Sequence, residues 1–354
     1  MHHFTYVVDR EFISYLKSSD PRHLAMGRRI IDGGTQRKRI DRRKTLGPLR
    51  SLVIKPSTII RYEKAFRLFL AFLLSQKVPL ATNLLRLDDQ VQCYIENLWE
   101  DGESLSLAGD TLSSLQHFQP SCKRNLPGSW KLLKTWQVHE LPSRAPPFTW
   151  PTLLVILGKL HSISASAALG VHLAFRSLLR TGELLALQSK DIVIGPNGTN
   201  AVLHLGLTKT GAYNPAAGSV TLTDAQLVQR LAQWKSSLRY STPIIPWSAP
   251  KFRSIFHQCC QECLLSRYGY KPYSLRRGGA TDLWISSQNY SLVAHTGRWT
   301  SEKTLRVYVQ ESIAMLTSFH FRPSPQQRQW QLYYMQASRV EHPLIRRGRG
   351  RGRR

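Results

Sequence analysis

Acidic residues are scarce in this sequence. The 354 residues include 22 Asp plus Glu against 49 Lys plus Arg, a formal charge of +27. An excess of that size points to a polyanionic partner, and nucleic acid is the commonest polyanion. Cysteine is scarce as well. Cys93, Cys122, Cys259, Cys260 and Cys263 are too few and too unevenly spaced for a disulfide framework, so a reducing compartment is expected. Long apolar runs are missing. Stretches such as 153–157 fall far short of the roughly 20 residues a membrane span needs, so no membrane partner is expected. The opening residues MHHFTYVVDREF carry acids early and lack the apolar segment of a secretory signal, so the chain is not expected to be secreted. What is present can still build cores. Hydrophobic residues make up 42% and aromatics 10%, which excludes a wholly disordered chain. At roughly 150 residues per domain the length suggests two domains plus extensions.

Residues 1–54 read as a basic, weakly structured N-terminal arm. Its segment 37–50, RKRIDRRKTLGPLR, has seven basic residues against one acid. Within it Arg37, Lys38, Arg39, Arg42, Arg43 and Lys44 are candidate DNA contacts. Apolar residues then recur at helical spacing from Pro56 (Tyr62, Phe66, Phe69, Leu70, Leu73), and again over 88–99, 105–118 and 129–138. Asp88 is the expected cap of the second of these helices. An all-helical domain over 55–141 follows. A linker at 142–147 carries Pro142, Pro146 and Pro147, since consecutive prolines favour an extended connector.

Over 148–322 the period is mixed. Helices are expected at 165–180, 223–238, 251–267, 276–286 and 301–319. A β-hairpin is expected from an apolar run at 201–207, a turn-rich 208–218 and an alternating 219–222. The fold class is therefore mainly α with a small β-sheet. A C-terminal extension over 323–354 ends in IRRGRGRGRR, whose six arginines cannot form a core and add a basic arm or import signal.

Four fragments of the second half carry a pattern. They are Arg180-Thr181-Gly182-Glu183, then Leu207-Thr208-Lys209-Thr210-Gly211, then Tyr273-Ser274-Leu275-Arg276-Arg277-Gly278-Gly279-Ala280-Thr281, and Gly297-Arg298-Trp299 with Tyr308 nine residues beyond the tryptophan. Each alone is weak: an Arg-x-x-Glu is commonly a surface pair, and a Trp and a Tyr nine apart are commonly core. In this order, behind a helical module, they resemble the boxes of the tyrosine recombinase (phage integrase) family, most closely members from eukaryotic mobile elements such as DIRS-type retrotransposons. The resemblance is strongest over 145–315.

That resemblance implies an N-terminal core-binding domain and a mixed α/β catalytic domain clamping double-stranded DNA. It implies strand breakage and rejoining through a 3′-phosphotyrosine without metal, ATP or other cofactor, and protomers assembling on DNA as a tetramer. It implies that Tyr308 is the nucleophile, Lys209 the general acid and Glu183 the residue orienting Arg180, and that the segment 313–334 docks on a neighbour. Arg277 and Arg298 are further expected DNA contacts. Physical chemistry supports the same cast. Attack at phosphorus builds charge on the non-bridging oxygens, and planar, permanently charged guanidiniums such as those of Arg180 and Arg276 match that charge. Trp299 offers an indole N–H. Tyr273 departs from the family pattern, which has His or Lys there. A phenol is a poor base near neutral pH, so removing the proton of Tyr308 falls to the arginines or to water.

Other candidates rank lower. His257, Cys259, Cys260 and Cys263 are close in sequence, yet lie on one expected helix with no second ligand pair, and read as a buried face rather than a zinc site. His161, His172 and His204 are isolated. Tyr333 and Tyr334 have the wrong spacing from Trp299. The alternatives to a recombinase are a DNA-binding protein of the same fold with a decayed site, and a type IB topoisomerase-like nicking-closing enzyme. RNA binding through the Arg-Gly tail is a third reading. A nuclear location is expected in a eukaryotic host and a cytoplasmic one otherwise.

Overall fold

The computed structural model describes residues 35–45, 47–140, 144–205, 218–236 and 240–338. The chain divides into two compact units, Met1–Ser143 and Arg144–Arg354.

In the first unit the expected loose arm is corrected over part of its length. Helix α1 spans Gln36–Lys44, where Gln, Lys and Arg are strong helix formers and neither Gly nor Pro interrupts. Gly47 and Pro48 follow it. Arg37, Arg43 and Lys44 are exposed and Arg39 is half-buried. The side chains of Lys38 and Arg42, and residues 1–34, lie outside the described residues. Helices α2 (Pro56–Ser75), α3 (Leu84–Glu100), α4 (Leu105–Phe118) and α5 (Pro127–His139) bury Phe69, Leu87, Val91, Leu112 and Leu126 in one core. Asp88 is not the cap of α3. That role falls to Asn83, whose side chain accepts from Leu85 N at 2.9 Å and Arg86 N at 3.2 Å. Asp88 sits a turn later on the buried face and caps α5 from outside, accepting from Gly128 N at 2.8 Å and Ser129 N at 2.9 Å. The two aspartate oxygens thus satisfy free N–H groups at a helix start that lacks a local cap.

The second unit opens with α6 (Trp150–Ile163), α7 (Ala165–Arg176) and the short α8 (Thr181–Ala186). A three-stranded antiparallel sheet follows in the order β1 (Ile192–Ile194), β2 (Ala201–His204), β3 (Ser219–Leu222). Ala201 and Leu203 on β2 and Val220 and Leu222 on β3 face the core, the alternation expected of a half-buried sheet. The sequence pattern missed β1 because three residues are too few to show a period. The expected hairpin tip at 206–217, Lys209 included, lies outside the described residues.

Helices α9 (Ala225–Ser236), α10 (Ala249–Glu262), α11 (Tyr273–Ser287), α12 (Tyr290–Gly297), α13 (Glu302–Tyr308), α14 (Glu311–His320) and α15 (Pro325–Ala337) complete the described part. The Gly278-Gly279 pair lets α11 approach its neighbours backbone to backbone. A Cβ at Gly278 would lie 2.4 Å from Phe148 O, and one at Gly279 would lie 2.0 Å from Phe175 O. Helix α15 packs on α6 of its own chain. Its Tyr334 is buried, with the hydroxyl 3.0 Å from His172 Nδ1 and accepting from Arg230 Nη1 at 2.9 Å. Gln327 Nε2 donates to Cys263 O at 2.7 Å. Buried polar groups that find partners fix such a helix in place.

Candidate active site

Three chain reversals build the site. The first follows α7. The expected helix 165–180 stops at Arg176, and Leu178 takes a left-handed φ of 49° while its side chain is buried. That turn makes Arg180 the residue preceding α8. Arg180 N donates to Glu183 Oε2 at 2.8 Å, and Arg180 Nη1 donates to Glu183 Oε1 at 2.7 Å. The second reversal closes α12 at Gly297, after which Arg298 takes φ 57°. The third splits the helix expected over 301–319 into α13 and α14. Gln310 N donates to Thr281 Oγ1 at 3.1 Å, and Tyr308 ends the shorter piece.

Helix α11 runs through the middle with Arg276 one turn from its start. Arg276 is 1% exposed. Its Nη1 donates to the Leu178 carbonyl and its Nη2 to the Gly297 carbonyl at 2.5 Å, while its Nε has no acceptor. The guanidinium carbon lies 4.4 Å from the centre of the Trp299 ring and 5.5 Å from that of Tyr308. Burial and the nearby Arg180 and Arg298 charges pull the pKa of Arg276 down to about 10. That still leaves it a cation at neutral pH. The Trp299 and Tyr308 rings are 4.6 Å apart, and the Tyr273 hydroxyl donates to the Tyr308 hydroxyl. The structure therefore brings together Arg180, Glu183, Tyr273, Arg276, Trp299 and Tyr308.

The electrostatics favour ionisation of one phenol of the pair. Burial alone would push Tyr308 up. The hydrogen bond from Tyr273, the Arg276 charge, the Trp299 N–H and the Arg180 charge outweigh it and lower its pKa below the usual tyrosine value. Tyr273 moves the other way, to about 12, raised by burial and by its bond to Tyr308. Tyr273 therefore stays a protonated donor to the Tyr308 oxygen.

Two expected DNA contacts turn inward instead. Arg277 donates to Ala145 O at 2.8 Å, Gln310 Oε1 at 3.1 Å and Val307 O at 2.6 Å. It ties the loop after Tyr308 to α11. Arg298 Nη2 donates to Glu183 Oε2 at 2.6 Å and to Leu178 O at 3.3 Å. A buried guanidinium needs such partners, and neither residue faces solvent. Sequence reasoning missed the Leu178 carbonyl, shared by Arg276 and Arg298, because no residue type announces a left-handed leucine.

The rejected candidates stay apart from this cluster. His257 is exposed while Cys259, Cys260 and Cys263 are buried, with thiols raised by burial to about 11, 12 and 12. Among the described residues no group of His, Cys, Asp or Glu is arranged to hold a metal. No described helix is long and apolar enough to cross a membrane.

Gly297 gives a first prediction. A Cβ there would lie 1.8 Å from the Trp299 ring. Gly297→Ala is expected to cost about 1–3 kcal/mol of stability by overpacking. That should lower the melting temperature by about 5 °C for a domain of this size. An unchanged melting curve would mean that the indole has room to move.

No family model and no curated protein matches the sequence. Solved structures do match. The Tn1549 transposon integrase (residues 82–397) in complex with circular intermediate DNA superposes with a TM-score of 0.54 at 14% identity, over 75% of this chain and 94% of that one. A lambda integrase dimer bound to a COC′ core site gives 0.51 at 16% identity, over 79% of this chain and 78% of that one. A lambda integrase tetramer bound to a Holliday junction gives 0.52 at 16% identity, with the same two shares. This chain has the tyrosine recombinase fold.

Proposed function

We propose that this protein is a DNA-breaking and rejoining enzyme, a site-specific recombinase or integrase. The observation that carries the proposal is the convergence of Arg276, Arg180 and Trp299 on one phenol, Tyr308, whose acidity they raise. The relatives in fold were solved on core-site, circular-intermediate and junction DNA, which agrees with that reading. So does the charge of +27.

The Tyr308 oxygen attacks the phosphorus of a backbone phosphodiester. A phosphorus–tyrosine bond forms, the bond to the 5′ oxygen breaks, and the leaving oxygen takes up a proton. The resemblance gives that proton donation to Lys209. Arg276 and Arg180 stabilise the charge on the non-bridging oxygens, and Tyr273 donates to the nucleophile's oxygen. The reverse attack by another 5′ hydroxyl reseals DNA without ATP, because the phosphotyrosine conserves the bond energy. Exchange of strands between two duplexes calls for several protomers, so assembly on DNA as a tetramer belongs to the proposal. The exposed Arg37, Arg43 and Lys44 of α1 would contact phosphates. Binding should then weaken with salt at a slope of about −0.9 per phosphate neutralised.

The test uses nicked duplexes with a randomised central segment, from which the cleaved 5′ fragment diffuses away. A DNA-linked protein band resistant to SDS is expected. DNA binding without such a band would indicate a decayed site.

The acid–base arrangement predicts a pH dependence. With the DNA saturating, covalent attachment should quicken about tenfold per pH unit through the neutral range, because the phenolate is the attacking form. It should level off at the lowered pKa of Tyr308, below the usual tyrosine value. Single-turnover rates across pH check this. A flat profile would mean that proton loss from Tyr308 does not limit the step.

A further inference from the structure

Arg298 is a buried cation that the proposed chemistry does not use. Its guanidinium is given over to the Glu183 carboxylate and to the Leu178 and Thr296 carbonyls. It also holds a left-handed backbone, φ 57°, which is costly for any residue with a Cβ. Glycine would fit that turn without strain, so the turn itself does not call for an arginine. The side chain instead makes contacts that glycine could not make.

Those contacts reach both halves of the site. Glu183 lies between two guanidiniums and divides its oxygens between them: Oε1 accepts from Arg180 Nη1 at 2.7 Å and Oε2 from Arg298 Nη2 at 2.6 Å. Without Arg298, Oε2 would keep the Arg180 backbone N–H and could take a second N–H of the Arg180 fork, and such a bidentate pair would neutralise that cation. Arg298 also shares the Leu178 carbonyl with Arg276. Its backbone lies between the Gly297 carbonyl that accepts from Arg276 and the Trp299 ring that packs on Tyr308.

We propose that Arg298 is a positioning residue for strand cleavage. It occupies Glu183 so that Arg180 keeps its charge for the phosphate, and it fixes Trp299 against Tyr308. This inference rests on the function proposed above and adds a role to a residue that touches no substrate.

The experiment compares wild type, Arg298→Gly, Arg298→Met, Glu183→Gln and the doubles of each Arg298 variant with Glu183→Gln, on the same randomised nicked duplexes. DNA affinity, melting temperature and the saturating rate of covalent attachment are measured for each. Gly suits the backbone and Met keeps the packing of the stem, so at least one single variant reports on a folded protein. Both single variants should bind DNA within about twofold of wild type and attach about a hundredfold more slowly, the loss typical of a misplaced charge stabiliser. Adding Glu183→Gln should restore about tenfold of that rate, because a neutral amide no longer competes for Arg180. A merely structural Arg298 would give doubles slower than the singles. That result, or single variants within threefold of wild type, overturns the inference. If wild type itself forms no covalent band, the proposed function fails and this inference with it. A wild-type band alongside indifferent Arg298 variants overturns the role of Arg298 alone.

Discussion

Tyr308→Phe should bind DNA within about twofold of wild type and form no covalent species, a loss limited only by the sensitivity of detection. The substitution removes one oxygen. The ring remains to pack on Trp299, 4.6 Å away, and to lie 5.5 Å from the Arg276 guanidinium. Tyr273 loses its acceptor, but it is 41% exposed and can turn its hydroxyl to water. The fold and the basic surface should therefore be unchanged, and gel-shift and melting measurements would show it. Among the described residues no other tyrosine is placed to substitute. Tyr334 is buried with its hydroxyl on His172 and Arg230, and Tyr333 lies on α15 with it. Tyr273 is the nearest phenol, but its pKa near 12 leaves it the weaker nucleophile.

Arg276→Lys should have the next largest effect. Lysine keeps the charge but is a point donor, and it cannot span the Leu178 and Gly297 carbonyls as the guanidinium fork does. Attachment should slow about 10²–10³-fold, as when one preorganised donor is removed from a charge-stabilising site. Stability should also fall by about 1–3 kcal/mol, because a buried carbonyl is left without its donor. The two effects separate. Melting reports the carbonyls, and single-turnover rates measured well below the melting temperature report the phosphate. A variant that is destabilised yet cleaves at the wild-type rate would make Arg276 a structural pillar only.

The parts of this site that could be read in the sequence are those set by short spacing. Arg180 and Glu183 lie three apart across one helix start, and Trp299 and Tyr308 lie nine apart across one turn, so local geometry nearly determines each pair. The helical character of 56–75 and 105–118 was legible for the same reason, since apolar residues repeat at helical spacing. What could not be read depends on distant segments meeting. Arg298 and Arg277 look like surface cations until α8, α11 and the loop after α13 converge around them. Asp88 looks like a helix cap until the start of α5 arrives with free N–H groups. The break at Val309–Gln310 has no proline or glycine to mark it, and follows from Thr281 of α11 taking the Gln310 N–H.

The central claim is that the Tyr308 oxygen forms the bond to DNA, and peptide mapping of the trapped adduct tests it most directly. Trypsin, which does not cut between Arg322 and Pro323, should release residues 307–328, which contain Tyr308 as their one tyrosine. That peptide should carry the mass of the DNA 3′-phosphoryl end. The same mass on the peptide of residues 268–276, which contains Tyr273, or on one containing Tyr333 and Tyr334, would contradict the account.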